Sequence, residues 1–244
     1  MRKKIEEKYK ELSEREHVLL RPGMWVGSIK EESKTMFLYN SESELIESRE
    51  IRYTPAMLKL VDEVISNSCD EYRRKDNLGL SDIWVTLEDN GWITIKDNGG
   101  IPVAKHKDAG VYVPEFIFGR LRTSSNYDDT EDRNVIGTNG VGSSLCNVFS
   151  KIFIIDTCDK KHSFHRSWSD NMGTVNDDLR VEKSDKHYTQ TKFLLDYERF
   201  DGQSCFNLDF VDIIEKRCID AAAANLGLTV HFEYKDGEFP NTLL

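Results

Sequence analysis

The sequence has no apolar run near the roughly 18–20 residues that a membrane-spanning helix needs. Its first eight residues are mostly charged and lack the apolar region of a signal peptide, which argues against secretion. The five cysteines among 244 residues are scattered, and none of them forms a CxxC pair. Such spacing is typical of reduced thiols rather than of a disulfide framework, so we expect a cytoplasmic protein.

Basic residues are also in short supply. Lys and Arg total 33 against 43 Asp and Glu, which gives a formal net charge of −10 at pH 7. Affinity for nucleic acids comes largely from basic groups that neutralise phosphates, so this chain should bind DNA weakly or not at all by itself. Apolar residues make up 39% and aromatic residues 10%, too many for a disordered chain. We therefore expect a folded protein with a hydrophobic core.

The order of predicted elements indicates an α+β fold. Thr54-Pro55 is a helix-start signal, because Thr can cap a helix and Pro suits its first position, and the apolar residues that follow keep a helical period. A second long helix is predicted over 209–225. Between these helices, β-branched and aromatic runs predict strands, with Asn90-Gly91 at a hairpin turn. We expect a mixed or antiparallel sheet with helices on one face.

The first predicted helix has a polar stripe beside its apolar face. At about 100° per residue, the carboxylates and the amide of this stripe fall on one side of the helix. They belong to Glu63, Asn67, Asp70 and Glu71. A solvated acidic face is the simpler interpretation of this pattern taken alone.

Two glycine-containing segments could hold a ligand. Asp97-Asn98-Gly99-Gly100 follows a predicted strand, and its glycines leave backbone groups open to a bound molecule. Residues 137–144 place three glycines before a predicted helix, where backbone N–H groups can converge on an anion. The second segment is neither a Walker A loop nor a Rossmann fingerprint. A plain glycine turn and a flexible loop are the respective alternatives.

Taken in this order, the three elements resemble the GHKL (Bergerat) ATP-binding fold of gyrase, Hsp90, MutL and histidine kinases, a mixed β-sheet with helices packed on one face. Residues 16–28 are similar to the N-terminal signature of type IIA DNA topoisomerases, and 112–119 and 123–129 are similar to the eukaryotic and viral branch. Residues 139–145 most resemble the large subunit of T4-type phage topoisomerase. The resemblance extends from residue 9 to about 236.

This resemblance implies a domain organisation. Residues 1–28 would form an N-terminal arm that crosses to a partner subunit, and 29–240 would form the ATP-binding domain. The transducer and DNA-cleavage domains of the family would be absent, so this chain could not cut DNA. In the full enzyme, ATP-driven homodimerisation would close a gate for DNA strand passage. The expected location is the host-cell nucleoid for a phage protein, or the nucleus for a eukaryotic one.

The resemblance also implies ATP and Mg²⁺ as cofactors and assigns roles to individual residues. Glu63 would orient the water that attacks the γ-phosphate, and Asn67 would bind Mg²⁺. Asp97 would accept a hydrogen bond from the adenine amino group, supported by Thr191. The other nucleotide-binding residues that it implies are Asp70, Gly99, Gly100, Ile101, Ser124, Ser125, Asn126, Asn139, Gly140, Val141 and Gly142.

The sequence departs from the family pattern at two positions. The segment after Asp97 is one residue short and lacks the family's basic residue, which would leave Glu71 without its usual partner. Ser144 stands where eukaryotic relatives have a lysine. Two other functions remain open: a GHKL ATPase of the MutL or chaperone type, and a nucleotide-dependent dimerisation module without turnover.

Overall fold

The computed structural model describes residues 11–74, 79–121 and 142–237, together with the backbone of 239–242. Helices and strands alternate along this part of the chain, as the sequence pattern predicts. The helices are α1 (Glu14–Leu20), α2 (Pro55–Arg73), α3 (Val113–Gly119), α4 (Gly142–Val148) and α5 (Leu208–Ala224). None of the helices in the described ranges is long and apolar enough to cross a membrane.

The strands form a small hairpin and one large sheet. The hairpin pairs β1 (Glu32–Asn40) with β2 (Leu45–Tyr53). The strands of the large sheet are β3 (Asp82–Glu88), β4 (Trp92–Asp97), β5 (Ser150–Asp159), β6 (His162–Ser169), β7 (Thr174–Val175), β8 (Arg180–Lys183), β9 (His187–Leu195), β10 (Thr229–Asp236) and β11 (Phe239–Thr242). Their order is β11-β10-β3-β4-β9-β5-β6-β7, and β8 also pairs with β6. Among these strands β10 and β3 run parallel and the other pairs antiparallel, so the sheet is mixed.

Helix α2 begins where the sequence predicts. Thr54 is its N-cap residue in an extended conformation, and Pro55 occupies the first helical position, where a missing N–H costs nothing. The Thr54 hydroxyl accepts a hydrogen bond of 3.0 Å from Gln203. The apolar side of the helix, which includes Leu60 and Val64, is buried against the sheet. Its polar side is thereby left for contacts with other elements.

The β3–β4 hairpin fixes the edge of the sheet at which the second predicted element lies. Gly91 has φ +89°, a left-handed conformation that suits glycine, and its N–H donates to Glu88 O at 2.8 Å. On both strands of the hairpin, alternate residues such as Ile83 and Ile95 point into the core. Asp97 shares this inward alternation and ends β4, so its carboxyl group is directed into the protein.

The core lies between one face of the sheet and the helices. Inward side chains of the central strands, such as Phe153 and Phe193, join those of α2, α4 and α5 in one buried cluster. The β1–β2 hairpin packs on the outer side of α5, where Leu38 and Ile51 meet Ile213. The predicted arrangement of helices on one face of a mixed sheet is therefore confirmed.

The described part of the predicted N-terminal arm packs on the rest of the chain. Val18 of α1 is fully buried, and Val26 is also in the core cluster. Arg15 Nε and Nη2 donate to the carbonyl oxygens of Asn171 and Asp170 at 2.5 and 2.6 Å. Residues of 11–28 therefore contribute side chains to the same core cluster as the rest of the described chain.

Candidate functional site

Two polar residues of α2 contact the start of α4. Asn67 Nδ2 donates a hydrogen bond of 2.6 Å to Ser143 Oγ. The Glu63 carboxylate lies against Gly142, where an added Cβ would overlap Glu63 Oε2 and lie 3.0 Å from Glu63 Cδ. Because residues four apart share one side of a helix, Glu63 and Asn67 face α4 together. The structure thus brings the predicted base and the predicted metal ligand to the same place.

Glu63 also forms an ion pair with Lys59, one helical turn earlier. The neighbouring carboxylate, Asp62, points elsewhere and pairs with Arg217 of α5 at 3.0 Å. Lys59 is a neighbour of the site that the motifs in the sequence do not indicate. Its i,i+4 spacing from Glu63 is the signal that would have found it.

Asp97 is held between α2 and its own loop. Ser68 Oγ donates to Asp97 Oδ2 at 2.7 Å, and the Gly99 N–H donates to Asp97 Oδ1 at 2.9 Å. The side chain is almost fully buried. Burial raises the pKa of Asp97 from 3.8 to about 7, and the negative charge of Glu71 acts in the same direction, whereas the two hydrogen bonds oppose the rise. This carboxyl group can therefore change its charge near neutral pH.

The cross-strand neighbour of Asp97 is Thr189. The antiparallel register of β4 and β9 places Thr191 opposite Ile95 instead, and Thr191 Oγ1 donates to Ile95 O at 3.3 Å. Thr189 Oγ1 lies 3.0 Å from Thr157 Oγ1 of β5. The structure therefore does not bring Thr191 to Asp97 as predicted. Both threonines lie on the same face because strand side chains repeat every two residues, and only the register selects between them.

The loop after β4 packs closely on neighbouring strands. An added Cβ on Gly100 would overlap the carbonyl oxygen of Cys158 and lie 2.7 Å from His187 Cδ2. The Ile101 N–H donates to Thr157 Oγ1 at 3.1 Å. Gly100 is thus required by contact with the protein backbone, while Gly99 acts on Asp97 through its N–H.

The remaining acidic residues of the predicted stripe have partners on α2 or just after it. Asp70 is buried, with Oδ1 at 4.0 Å from Arg73 Nη1. Glu71 Oε2 lies 3.2 Å from Arg74 Nε. Glu71 therefore lacks the loop partner of the family but is not unpaired, because Arg74 on the same segment pairs with it.

Six predicted nucleotide-binding residues lie outside the described residues. They are Ser124, Ser125, Asn126, Asn139, Gly140 and Val141. Gly142, the last residue of the predicted phosphate-binding loop, is described and contacts Glu63.

Residues 54–199 match the family described as "Histidine kinase-, DNA gyrase B-, and HSP90-like ATPase". The matched segment includes α2, Asp97, the start of α4 and β9. The chain belongs to this family of ATP-binding GHKL domains.

Two curated relatives narrow the comparison to one branch of the family. The chain is 38% identical over 220 residues to DNA topoisomerase 2 of Penicillium chrysogenum. This alignment covers 89% of this chain and 14% of that protein. It is 37% identical over 234 residues to DNA topoisomerase 2 top-2 of Caenorhabditis elegans. That alignment covers 95% of this chain and 15% of that protein. The chain is therefore homologous to one part of eukaryotic-type topoisomerase II and spans less than a fifth of these relatives.

Solved structures identify that part as the ATPase domain. The ATPase and transducer domains of DNA topoisomerase II from Balamuthia mandrillaris superpose with a TM-score of 0.89 at 35% identity, covering 94% of this chain and 60% of that one. The ATPase region of Saccharomyces cerevisiae topoisomerase II gives 0.86 at 30% identity, covering 92% and 60%. The predicted fold and the predicted relation to type II topoisomerase ATPase domains are both confirmed.

Proposed function

We propose that this chain binds and hydrolyses ATP as the ATPase domain of a type IIA DNA topoisomerase. The observation that carries the proposal is the meeting of three elements on one helix: Glu63 and Asn67 contact the start of α4, and Ser68 contacts Asp97. From Glu63 to Ser68 the helix rises about 7.5 Å. A nucleotide can lie along this helix with adenine towards Asp97 and its phosphates towards α4.

In this proposal Asp97 recognises adenine. Its carboxylate accepts a hydrogen bond from the adenine amino group, while Ser68 and Gly99 hold its two oxygens in place. Thr189 lies opposite Asp97 in the strand pair and takes the supporting role that the family resemblance implies for Thr191. From the family resemblance, 124–126 are proposed to bind the ribose and the α-phosphate, and 139–142 are proposed to bind the β- and γ-phosphates.

Mg²⁺ is the metal that the donor chemistry suits. The described residues contain no group of three or more His, Cys, Asp or Glu side chains able to hold a metal by themselves. Mg²⁺ commonly binds through one or two protein oxygens plus substrate phosphates and water, and the Asn67 side chain offers such an oxygen. When bound, the ion would neutralise charge on the phosphates. Asn67 would hold it.

Glu63 is the proposed general base and orients the attacking water. Phosphoryl transfer depends mainly on positioning and charge neutralisation, so the base has to be held in a defined place. The contacts with Lys59 and Gly142 restrict where the Glu63 carboxylate can lie. These contacts support a role in turnover and argue against a binding module without hydrolysis.

The wider role follows from the family. In the full enzyme, ATP binding would bring two copies together and close the gate for DNA strand passage, and DNA would be bound mainly by other domains because this chain carries a net charge of −10. The topoisomerase relatives support this role over a MutL-like or chaperone-like one. The sequence of 139–145 supports a T4-type phage enzyme acting at the host nucleoid, and a eukaryotic-type enzyme would act in the nucleus.

Calorimetry with a non-hydrolysable ATP analogue tests the proposal. We expect binding that Mg²⁺ strengthens, and we expect Asp97→Ala to weaken it strongly because the adenine acceptor is lost. Arg217→Ala serves as a control and should bind like the wild type, because Arg217 pairs with Asp62 and not with a residue of the proposed site. If Asp97→Ala bound the analogue as tightly as the wild type, the adenine assignment would be wrong.

A further inference from the structure

The hydrogen bond between Asn67 and Ser143 shows which atom of the Asn67 amide faces Ser143. The Asn67 amide nitrogen donates to Ser143 Oγ at 2.6 Å. An amide group carries its nitrogen and its oxygen on the same trigonal carbon atom, pointing in different directions, and only the oxygen can bind a cation. With the nitrogen hydrogen-bonded to Ser143, the amide oxygen is not used by this contact and can bind a cation. In the observed contact Ser143 is the acceptor, and the amide is held with its nitrogen towards the hydroxyl group.

Ser143 lies in a buried part of α4, where its hydroxyl group is held in place. It is nearly buried, as are the five residues that follow it in α4. Further along the helix, Asn147 Nδ2 donates to Phe118 O at 2.9 Å, which ties α4 to the end of α3. Asn67 itself is exposed and stands between buried residues of α2. An exposed amide on a fixed helix thus meets a fixed hydroxyl group.

We propose that Ser143 is a positioning residue that orients the Asn67 amide so that its oxygen faces Mg²⁺ on the bound nucleotide. This inference rests on the proposed function. Residues that orient metal ligands from outside the coordination shell typically change metal affinity by about 10–100-fold when they are mutated. Ser143 acts through Asn67 and needs no contact with the nucleotide.

The test is calorimetry of analogue binding across a series of free Mg²⁺ concentrations and in EDTA. Ser143→Ala removes the hydroxyl group with little change in volume, and alanine is a good helix former. We expect the half-saturating Mg²⁺ concentration to rise about tenfold. Affinity for the analogue in EDTA should stay within about twofold of the wild type, because the adenine and phosphate contacts are unchanged.

Ser150→Ala is the matched control. Ser150 is a buried serine just beyond α4, and its hydroxyl group donates to Cys146 O at 2.7 Å without contacting α2. It should keep the wild-type Mg²⁺ dependence. An unchanged Mg²⁺ dependence in Ser143→Ala, or an equal loss of affinity with and without Mg²⁺, would overturn the inference. Failure of the wild-type chain to bind the analogue at all would instead overturn the proposed function and remove the basis of this inference with it.

Discussion

Ser68 and Asp97 share a hydrogen bond of 2.7 Å that joins the middle of α2 to the end of β4 inside the protein. The hydrogen bond lowers the pKa of the Asp97 carboxyl group, but burial has the larger effect and raises this pKa to about 7. The proposed adenine acceptor is therefore a group that ionises in the neutral range. Both nucleotide binding and stability should depend on pH for this reason.

Analogue affinity should rise by about tenfold between pH 6 and pH 8. With a pKa of about 7, about a tenth of the Asp97 carboxyl groups are ionised at pH 6 and about nine-tenths at pH 8, and only the ionised form is a pure acceptor. Calorimetry of analogue binding across this range measures the change. Asp97→Asn does not titrate, so its profile reports the ionisation of the nucleotide alone. Identical profiles for the two proteins would refute the prediction.

The nucleotide-free chain should be less stable at pH 8 than at pH 5 because of Asp97. The folded-state pKa lies above the ordinary value of 3.8, so this group's stabilising contribution is complete below about pH 4 and is lost as the pH rises through about 7. At about 1.4 kcal/mol per pKa unit, the loss amounts to a few kcal/mol. Asp97→Asn should raise the melting temperature at pH 8 and have a smaller effect at pH 5. An equal change at both values would show that the carboxyl charge is not the cause.

Glu63→Ala and Asn67→Ala should have different effects. Removing a positioned base typically lowers the rate by about 10²–10⁴-fold, and analogue affinity should stay within a few-fold of the wild type. Asn67→Ala should weaken both Mg²⁺-dependent binding and turnover, since it removes the proposed metal ligand. Steady-state ATPase assays and calorimetry on both variants separate the two effects. A similar loss of affinity in both would indicate a structural role for Glu63.

Lys59→Met should lower kcat slightly and leave analogue binding unchanged. The side chains of Lys59 and Glu63 are 52% and 25% exposed, and partly exposed ion pairs contribute at most about 1 kcal/mol, which corresponds to roughly fivefold in rate. Arg217→Met breaks the neighbouring pair with Asp62 and is the matched control. Its kcat should equal that of the wild type. A comparable loss in both variants would show that the effect is not specific to Glu63.

Gly142→Ala should reduce turnover more than it reduces stability. The added methyl group would overlap Glu63 Oε2, so the flexible carboxylate has to move away from the start of α4. Displacing a catalytic group can cost on the order of 10²-fold in rate, while the core stays intact. ATPase assays together with thermal unfolding measure both effects. Wild-type turnover in this variant would mean that the observed position of Glu63 is not the productive one.

The sequence predicted the elements of the site well because local signals specify them. Thr54-Pro55 marks the start of α2, and Asn90-Gly91 marks the turn that leads to Asp97. Apolar periodicity assigned the long helices and the central strands, and the ordered motifs identified the family. Short elements such as β7 and β8 were missed, since two to four residues carry little periodic signal.

Local signals such as caps, turns and periodicity could not predict contacts between distant parts of the chain. The family resemblance points to Thr191, whereas the register of β4 and β9 places Thr189 opposite Asp97, and the two differ only by one repeat of the strand. The contacts of Glu63 with Gly142 and of Asn67 with Ser143 join residues more than 70 positions apart. Their geometry follows from how α4 packs on α2.

The sequence by itself determined the fold class, the long helices and the polar stripe on α2, because propensity, capping and periodicity act over a few residues. The tertiary structure decided which threonine faces Asp97, which serine holds Asn67, and the raised pKa of Asp97. These three properties depend on strand register, helix packing and burial. Each of them is set by groups that come together only when the whole sheet and its helices have formed.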